Sequence, residues 1–217
     1  MNYCNLQLRV QFCLRPNADH VEGLPGLLKR RTVGQVWVSP QIDPAFESAR
    51  AQRWLKVIPQ IPVTAGFRTQ IISNRGPINF HVLWPRLGAQ DSPNNSSIVL
   101  QISSADFSLL AAGDIEPIAQ SQLVQQLSQV DLYKVAHHGS RYQDLNFMKA
   151  LSPRISIISV GKDNTYGHPA PQTIAALSRI GSTVYRTDQD GALAINARRH
   201  QVKVRKSNRV FKFWDWG

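Results

Sequence analysis

Apolar and polar positions alternate along much of the first half of the chain. Residues 6–14 (Leu-Gln-Leu-Arg-Val-Gln-Phe-Cys-Leu) repeat with period two, the mark of a strand with one buried face. A helix is predicted over 21–31, with Leu24, Leu27 and Leu28 on one face, and a second strand over 33–38 closed by Ser39-Pro40. Spacing over 45–56 is helical, with Phe46, Ala49, Trp54 and Leu55 inward and Pro44 at the start. Short strands are expected at 57–63, 68–73 and 78–84, separated by Gly66 and the Asn74-Arg75-Gly76-Pro77 turn.

In the second half, strands at 96–103 and 106–112 are joined by a turn that permits only an antiparallel hairpin. A helix over 115–127, a strand over 131–136 and a helix over 144–151 follow. Residues 155–160 are almost continuously apolar, as in a strand buried on both faces. A helix over 172–180 ends at Gly181. Strands at 183–187 and 192–196 flank Asp190-Gly191, read as a hairpin turn, and a basic strand occupies 201–206. Hairpins first, then strands alternating with helices, predict two sheets packed face to face with helices outside, a four-layer α/β/β/α sandwich. With no repeat and no linker, residues 1–197 form one domain and 198–217 a basic and aromatic end.

Four strand-to-loop junctions each deliver an Asp or a His: Asp19-His20, Gly113-Asp114, His137-His138 and the turn at His168. A histidine pair closing a strand is ordinary by itself. Four such junctions together are how a metal site is assembled on a sheet edge. His81 and His200 have no evident partner and read as surface or core histidines.

Composition adds a polyanionic partner to this picture. The 217 residues carry 25 Lys and Arg against 14 Asp and Glu, a net charge of +11, which favours nucleic acid first and acidic lipid second. Seven of those cations and no acid lie between Arg198 and Lys212. Cys4 and Cys13 form no CxxC pair and read as two thiols, not a disulfide framework. No apolar run approaches the roughly 20 residues that span a bilayer, and the start lacks a signal-peptide pattern. The chain as given is expected to be soluble and, by default, cytoplasmic.

The order of motifs resembles a metallo-β-lactamase-fold hydrolase, and specifically the C-terminal domain of the ComEC competence proteins. The stretches that carry this are Ala18-Asp19-His20-Val21, Pro93-Asn94-Asn95-Ser96-Ser97, Leu110-Ala111-Ala112-Gly113-Asp114-Ile115-Glu116 and His137-His138-Gly139-Ser140. Ile158-Ser159-Val160-Gly161, Asn164-Thr165-Tyr166-Gly167-His168-Pro169 and Arg186-Thr187-Asp188-Gln189-Asp190-Gly191 continue it, so the likeness covers 18 to about 196. It implies a metal-dependent phosphodiesterase acting on DNA, single-stranded for preference, beside a membrane channel for DNA uptake. It also implies that the domain's opening strand, with its Asp-Val-Gly-Gln-Gly type motif, is missing, as in a truncated piece. The family's first metal motif, His-x-(His or Asp)-x-Asp-His, here reads Arg15-Pro16-Asn17-Ala18-Asp19-His20. A guanidinium has no lone pair to offer a metal, and an amide carbonyl binds only hard cations weakly.

Carried over residue by residue, the resemblance assigns one four-ligand site to Asp19, His20, Asp114 and one of His137 and His138. His137 is preferred because strand alternation turns only one of the pair inward. One Zn or Mn ion is expected rather than two. His168 is assigned to the leaving oxygen or the phosphate, Asp114 to the catalytic centre, and Asn95 to the lining of the cleft. Arg15 either pairs with the scissile phosphate in place of a second metal or marks decay of the site. Arg199, Arg205 and Lys206, interleaved with Phe211, Phe213 and Trp214, fit single-stranded nucleic acid, while a solvated edge strand explains them equally well. The competing reading is an inactive remnant that binds DNA or a ComEC-like partner through its basic surface.

Overall fold

The computed structural model describes residues 13–14, 18–29, 31–41, 45–88, 91–198 and 201–207. A small parallel sheet, ordered β1-β2-β3, is made by β1 (Cys13–Leu14), β2 (Val36–Val38) and β3 (Gln60–Pro62). Short helices α1 (Ala18–Val21) and α2 (Leu24–Leu28) and the longer α3 (Ala45–Trp54) connect its strands. A seven-stranded sheet then runs in strict chain order from β4 (Arg68–Ser73) through β5 (Gly76–Trp84), β6 (Val99–Ser104) and β7 (Phe107–Ala111). It continues with β8 (Leu132–Lys134), β9 (Ile155–Ile158) and β10 (Thr183–Arg186). The first four of these strands pair antiparallel; β7 to β10 are parallel, with α4 (Pro117–Leu123), α5 (Leu145–Leu151) and α6 (Pro171–Arg179) as crossovers.

Alternate residues of each strand face alternate cores, which is what makes the layers. Trp37 of β2 points between the sheets onto Val82, Ile98 and Leu100, with Phe67 and Phe80 edge-on to its indole at 5.3 and 5.6 Å. Its neighbour Val36 points the other way, onto Val21, Leu24, Ala51 and Leu55 beneath α1–α3. On the far side, Val99, Leu110, Tyr133 and Ile158 meet Leu123, Phe147, Leu151 and Leu177 beneath α4–α6. The order is therefore helices, small sheet, large sheet, helices, the four-layer arrangement the sequence pattern predicts.

Several local expectations change. The predicted helix over 21–31 is two short helices with a turn at Glu22-Gly23. In α3 the buried residues are Ser48 and Ala51, with Leu55 buried just past its end, and Phe46 and Ala49 face outward. Most of the predicted strand 6–14 lies outside the described residues. Asp190-Gly191 does not make a hairpin. Thr187–Asp190 form a single helical turn, α7, with Asp190 Oδ2 accepting from the Arg186 N–H at 2.9 Å and Gly191 at φ +73 ending it. The antiparallel pair at this end is instead β11 (Leu193–Arg198) with β12 (Gln201–Lys206). Among the described residues, no helix is long and apolar enough to cross a membrane.

Candidate metal centre

The carboxyl ends of β7, β8, β9 and β10 lie on one edge of the sheet, where open α/β sheets place their ligands. Gly113 follows β7 at φ +56, so close to Ser97 that a Cβ there would sit 2.5 Å from the Ser97 Cβ. Ser97 Oγ accepts the Asp114 N–H at 3.0 Å, which aims this carboxylate, 2% exposed, into the site. Asp114 Oδ2 meets His20 Nε2 of α1 at 2.7 Å, so the contact also bridges the two sheets.

Strand β8 stops at Lys134, whose Nζ donates to the Gly113 carbonyl at 3.3 Å. His137 (φ 46, ψ 50) and His138 (φ 52, ψ 24) then both take left-handed backbone, rare outside glycine and concentrated at functional sites. His138 Nδ1 donates to the Ser159 carbonyl at 2.6 Å, which leaves the Nε2 lone pair on the side of Asp114 Oδ1, 3.7 Å away. That separation is too long for a hydrogen bond. His20, Asp114 and His138 each offer one ligand atom, all within 4.8 Å of one another. Two imidazoles and a carboxylate, one imidazole fixed through its other nitrogen, are a donor set that suits a divalent transition-metal ion.

Burial pushes the Asp114 carboxyl up, but the His20 hydrogen bond and the charges of His20, Lys134 and His138 reverse this and hold it far below the usual carboxylate range. His168 is pushed below its ordinary value by burial first, then by His137 and His138, with Asp114 opposing.

His138, not the preferred His137, thus joins His20 and Asp114. Alternation fails as a guide because the strand ends at Lys134 and the pair sits in left-handed backbone. His137 turns instead to Glu116, Nδ1 to Oε1 3.6 Å, and to His168, whose ring lies 5.4 Å away. Sequence reasoning assigns Glu116 no role, although it closes the Leu110–Glu116 stretch two residues after Asp114. Its carboxylate is held by Asn94 Nδ2 at 2.8 Å and Ser92 Oγ at 3.3 Å. Asn95 does not line the cleft. It is fully buried, donates to both oxygens of Asp91 at 2.9 and 3.1 Å, and accepts the Glu116 N–H at 2.7 Å, so it positions the loop.

Asp19 lies in α1 beside His20, but its side chain, like Arg15, Asn17 and Arg199, is outside the described residues. Arg205 is exposed on β12. Lys206 is engaged within the protein, with Nζ 2.6 Å from Asp190 Oδ1 and 5.0 Å from the Tyr185 ring centre, so it is less available to a ligand than Arg205.

No family model matches the chain. Its fold is shared with a candidate metal-dependent hydrolase of Parabacteroides distasonis, at TM-score 0.51 and 13% identity over 82% of this chain and 74% of that one. It is shared too with CmlA, a diiron β-hydroxylase of Streptomyces venezuelae, at TM-score 0.53 and 17% identity over 94% and 46%. The architecture is the metallo-β-lactamase fold. In sequence the chain is 34% identical to ComE operon protein 3 of Bacillus subtilis over 139 residues, 63% of this chain and 17% of that protein. It is 25% identical to Recombination protein 2 of Haemophilus influenzae over 138 residues, 63% of this chain and 18% of that protein. The chain is thus similar to ComEC-type proteins over 63% of its length, and each match spans less than a fifth of the relative.

Proposed function

We propose that the chain is a metal-dependent phosphodiesterase that cuts DNA, single-stranded for preference, during uptake beside a ComEC-type membrane channel. The observation that carries this is the convergence of His20, Asp114 and His138 on the carboxyl edge of the sheet. These three, with Asp19 as fourth ligand, hold one Zn or Mn ion. Bound there, the ion supplies Lewis-acid polarisation of a phosphoryl oxygen and activation of water. His168, one ring beyond His137, holds the phosphate or passes a proton to the leaving oxygen. Glu116, anchored by Asn94 and Ser92, keeps His137 turned towards it. The basic surface, Arg205 included, draws the polyanion in.

Arg15 and Asn17, standing where the family resemblance leads one to expect metal ligands, favour a second reading: a DNA-binding domain without catalysis. Elemental analysis of tag-free protein separates the two. About one equivalent of Zn or Mn per chain, lost in Asp114→Asn together with DNA cleavage, supports the phosphodiesterase. A folded protein that binds DNA but carries no metal supports the second reading, and two equivalents contradict the single-ion site.

A further inference from the structure

The rings around the candidate centre form a continuous row that leads out of it. His20 and His138 have centroids 5.4 Å apart, His138 and His137 6.4 Å, His137 and His168 5.4 Å, and His168 and Tyr166 6.5 Å. Each histidine is strongly tilted to the next. Tyr166 breaks the pattern, lying within 24° of parallel to His168 while 83% exposed. An exposed tyrosine is unremarkable on its own. This one is set in place by a built loop: Asn164 Nδ2 donates to the His168 carbonyl at 2.7 Å, and its Oδ1 accepts the His168 N–H at 3.3 Å. Farther along, Ala170 N–H donates to the Gly139 carbonyl at 2.8 Å, and Pro169 packs on Gly139, tying the Tyr166 loop to the histidine pair.

The same rim carries positive charge. Arg141 is exposed two residues after Gly139, the residue on which Pro169 packs and to which Ala170 N–H bonds, so its charge reaches His168. Tyr142 beside it is 60% exposed. Tyr166 and Arg141 thus both border His168, the one through its ring and the other through its charge. An aromatic face and a cation on one rim are the combination that seats single-stranded nucleic acid, because every base has a face to stack and every nucleotide a phosphate to pair. A base inside a duplex has both faces covered by its neighbours and cannot use such a platform without leaving the stack.

We propose that Tyr166 and Arg141 form a stacking subsite that seats one unpaired nucleobase and its phosphate at the rim of the metal centre. The subsite makes the protein prefer single strands, and its role in turnover rests on the phosphodiesterase reading above. The test is equilibrium binding, by fluorescence anisotropy, of a labelled phosphorothioate single strand and of the matching duplex, with metal content measured alongside. Tyr166→Ala is expected to weaken single-strand binding about tenfold while leaving duplex binding and bound metal unchanged. Tyr166→Phe, which keeps the ring, is expected to bind as the parent does. Unaltered single-strand binding by Tyr166→Ala, or an equal loss for both substrates, overturns the subsite. Tyr166-dependent single-strand binding by a parent protein that cleaves no DNA would uphold the subsite and overturn the phosphodiesterase.

Discussion

Gly113→Ala probes how the centre is built. At φ +56 an alanine costs about 1–2 kcal/mol in backbone conformation. Its Cβ would also lie 2.5 Å from Ser97 Cβ, 3.0 Å from Ser97 Oγ and 3.3 Å from the Ile98 carbonyl oxygen. Ser97 is 1% exposed and cannot swing into solvent, so the clash adds an overpacking cost of about 1–3 kcal/mol. Gly181→Ala isolates the first contribution, since Gly181 has φ +85 and nothing within 4 Å of a built Cβ. Denaturant titration should therefore place Gly113→Ala about 1–3 kcal/mol below Gly181→Ala. In a chain of this size that is about 2–4 °C of Tm for each kcal/mol. Because Ser97 Oγ holds the Asp114 N–H, displacing it also moves Asp114 off His20. Bound metal should fall in Gly113→Ala and be retained in Gly181→Ala. Equal destabilisation of the two variants would refute the close approach of Gly113 to Ser97.

Two further outcomes are expected. Tyr133→Phe removes the hydroxyl that accepts the buried Ala136 N–H at 3.1 Å, just before the histidine pair, and should cost about 1–3 kcal/mol in chemical denaturation; a change below about 0.5 kcal/mol would mean the N–H finds another acceptor. His81 is held below its ordinary pKa by burial and then by the Arg68 charge, against the Gln101 hydrogen bond. The unfolded chain thus takes up this proton near pH 6.5, before the folded chain does, so the stability His81 contributes is intact above that value and is lost as pH falls towards the folded pKa. Thermal scans at about pH 7.5 and 5 should show a larger loss for the parent than for His81→Gln, and equal losses would contradict the sign.

Much of this was legible where one local force dominates. The apolar run 155–160 reads as a doubly buried strand and holds one at Ile155–Ile158, and the hairpin read at 96–103 and 106–112 forms as Val99–Ser104 with Phe107–Ala111, from a turn too short for any crossover. Asp190-Gly191 misled because the dipeptide that turns a hairpin also ends a helical turn. The choice was made by Asp190 bonding back to Arg186 and by β10 finding β9, which no local pattern records. The centre was legible as residue types, and His20, Asp114 and His138 do meet. Which histidine joins them depends on left-handed backbone held by tertiary contacts. The role of Glu116 was not legible because its carboxylate answers to Ser92 and Asn94, more than twenty positions away along the chain.

The chain order of the large sheet bears on how the centre comes into being. Because β4 to β10 lie side by side in the order of synthesis, each strand can add to the one before it without waiting for a distant partner. Asp114, then His138, then the Ser159 carbonyl reach the edge in that succession. His20 is the exception: its contact with Asp114 closes a loop of 94 residues and belongs to the other sheet. The candidate triad is complete only when the two sheets have docked, so the His20–Asp114 contact is expected to form in that final assembly step and not during growth of the sheet.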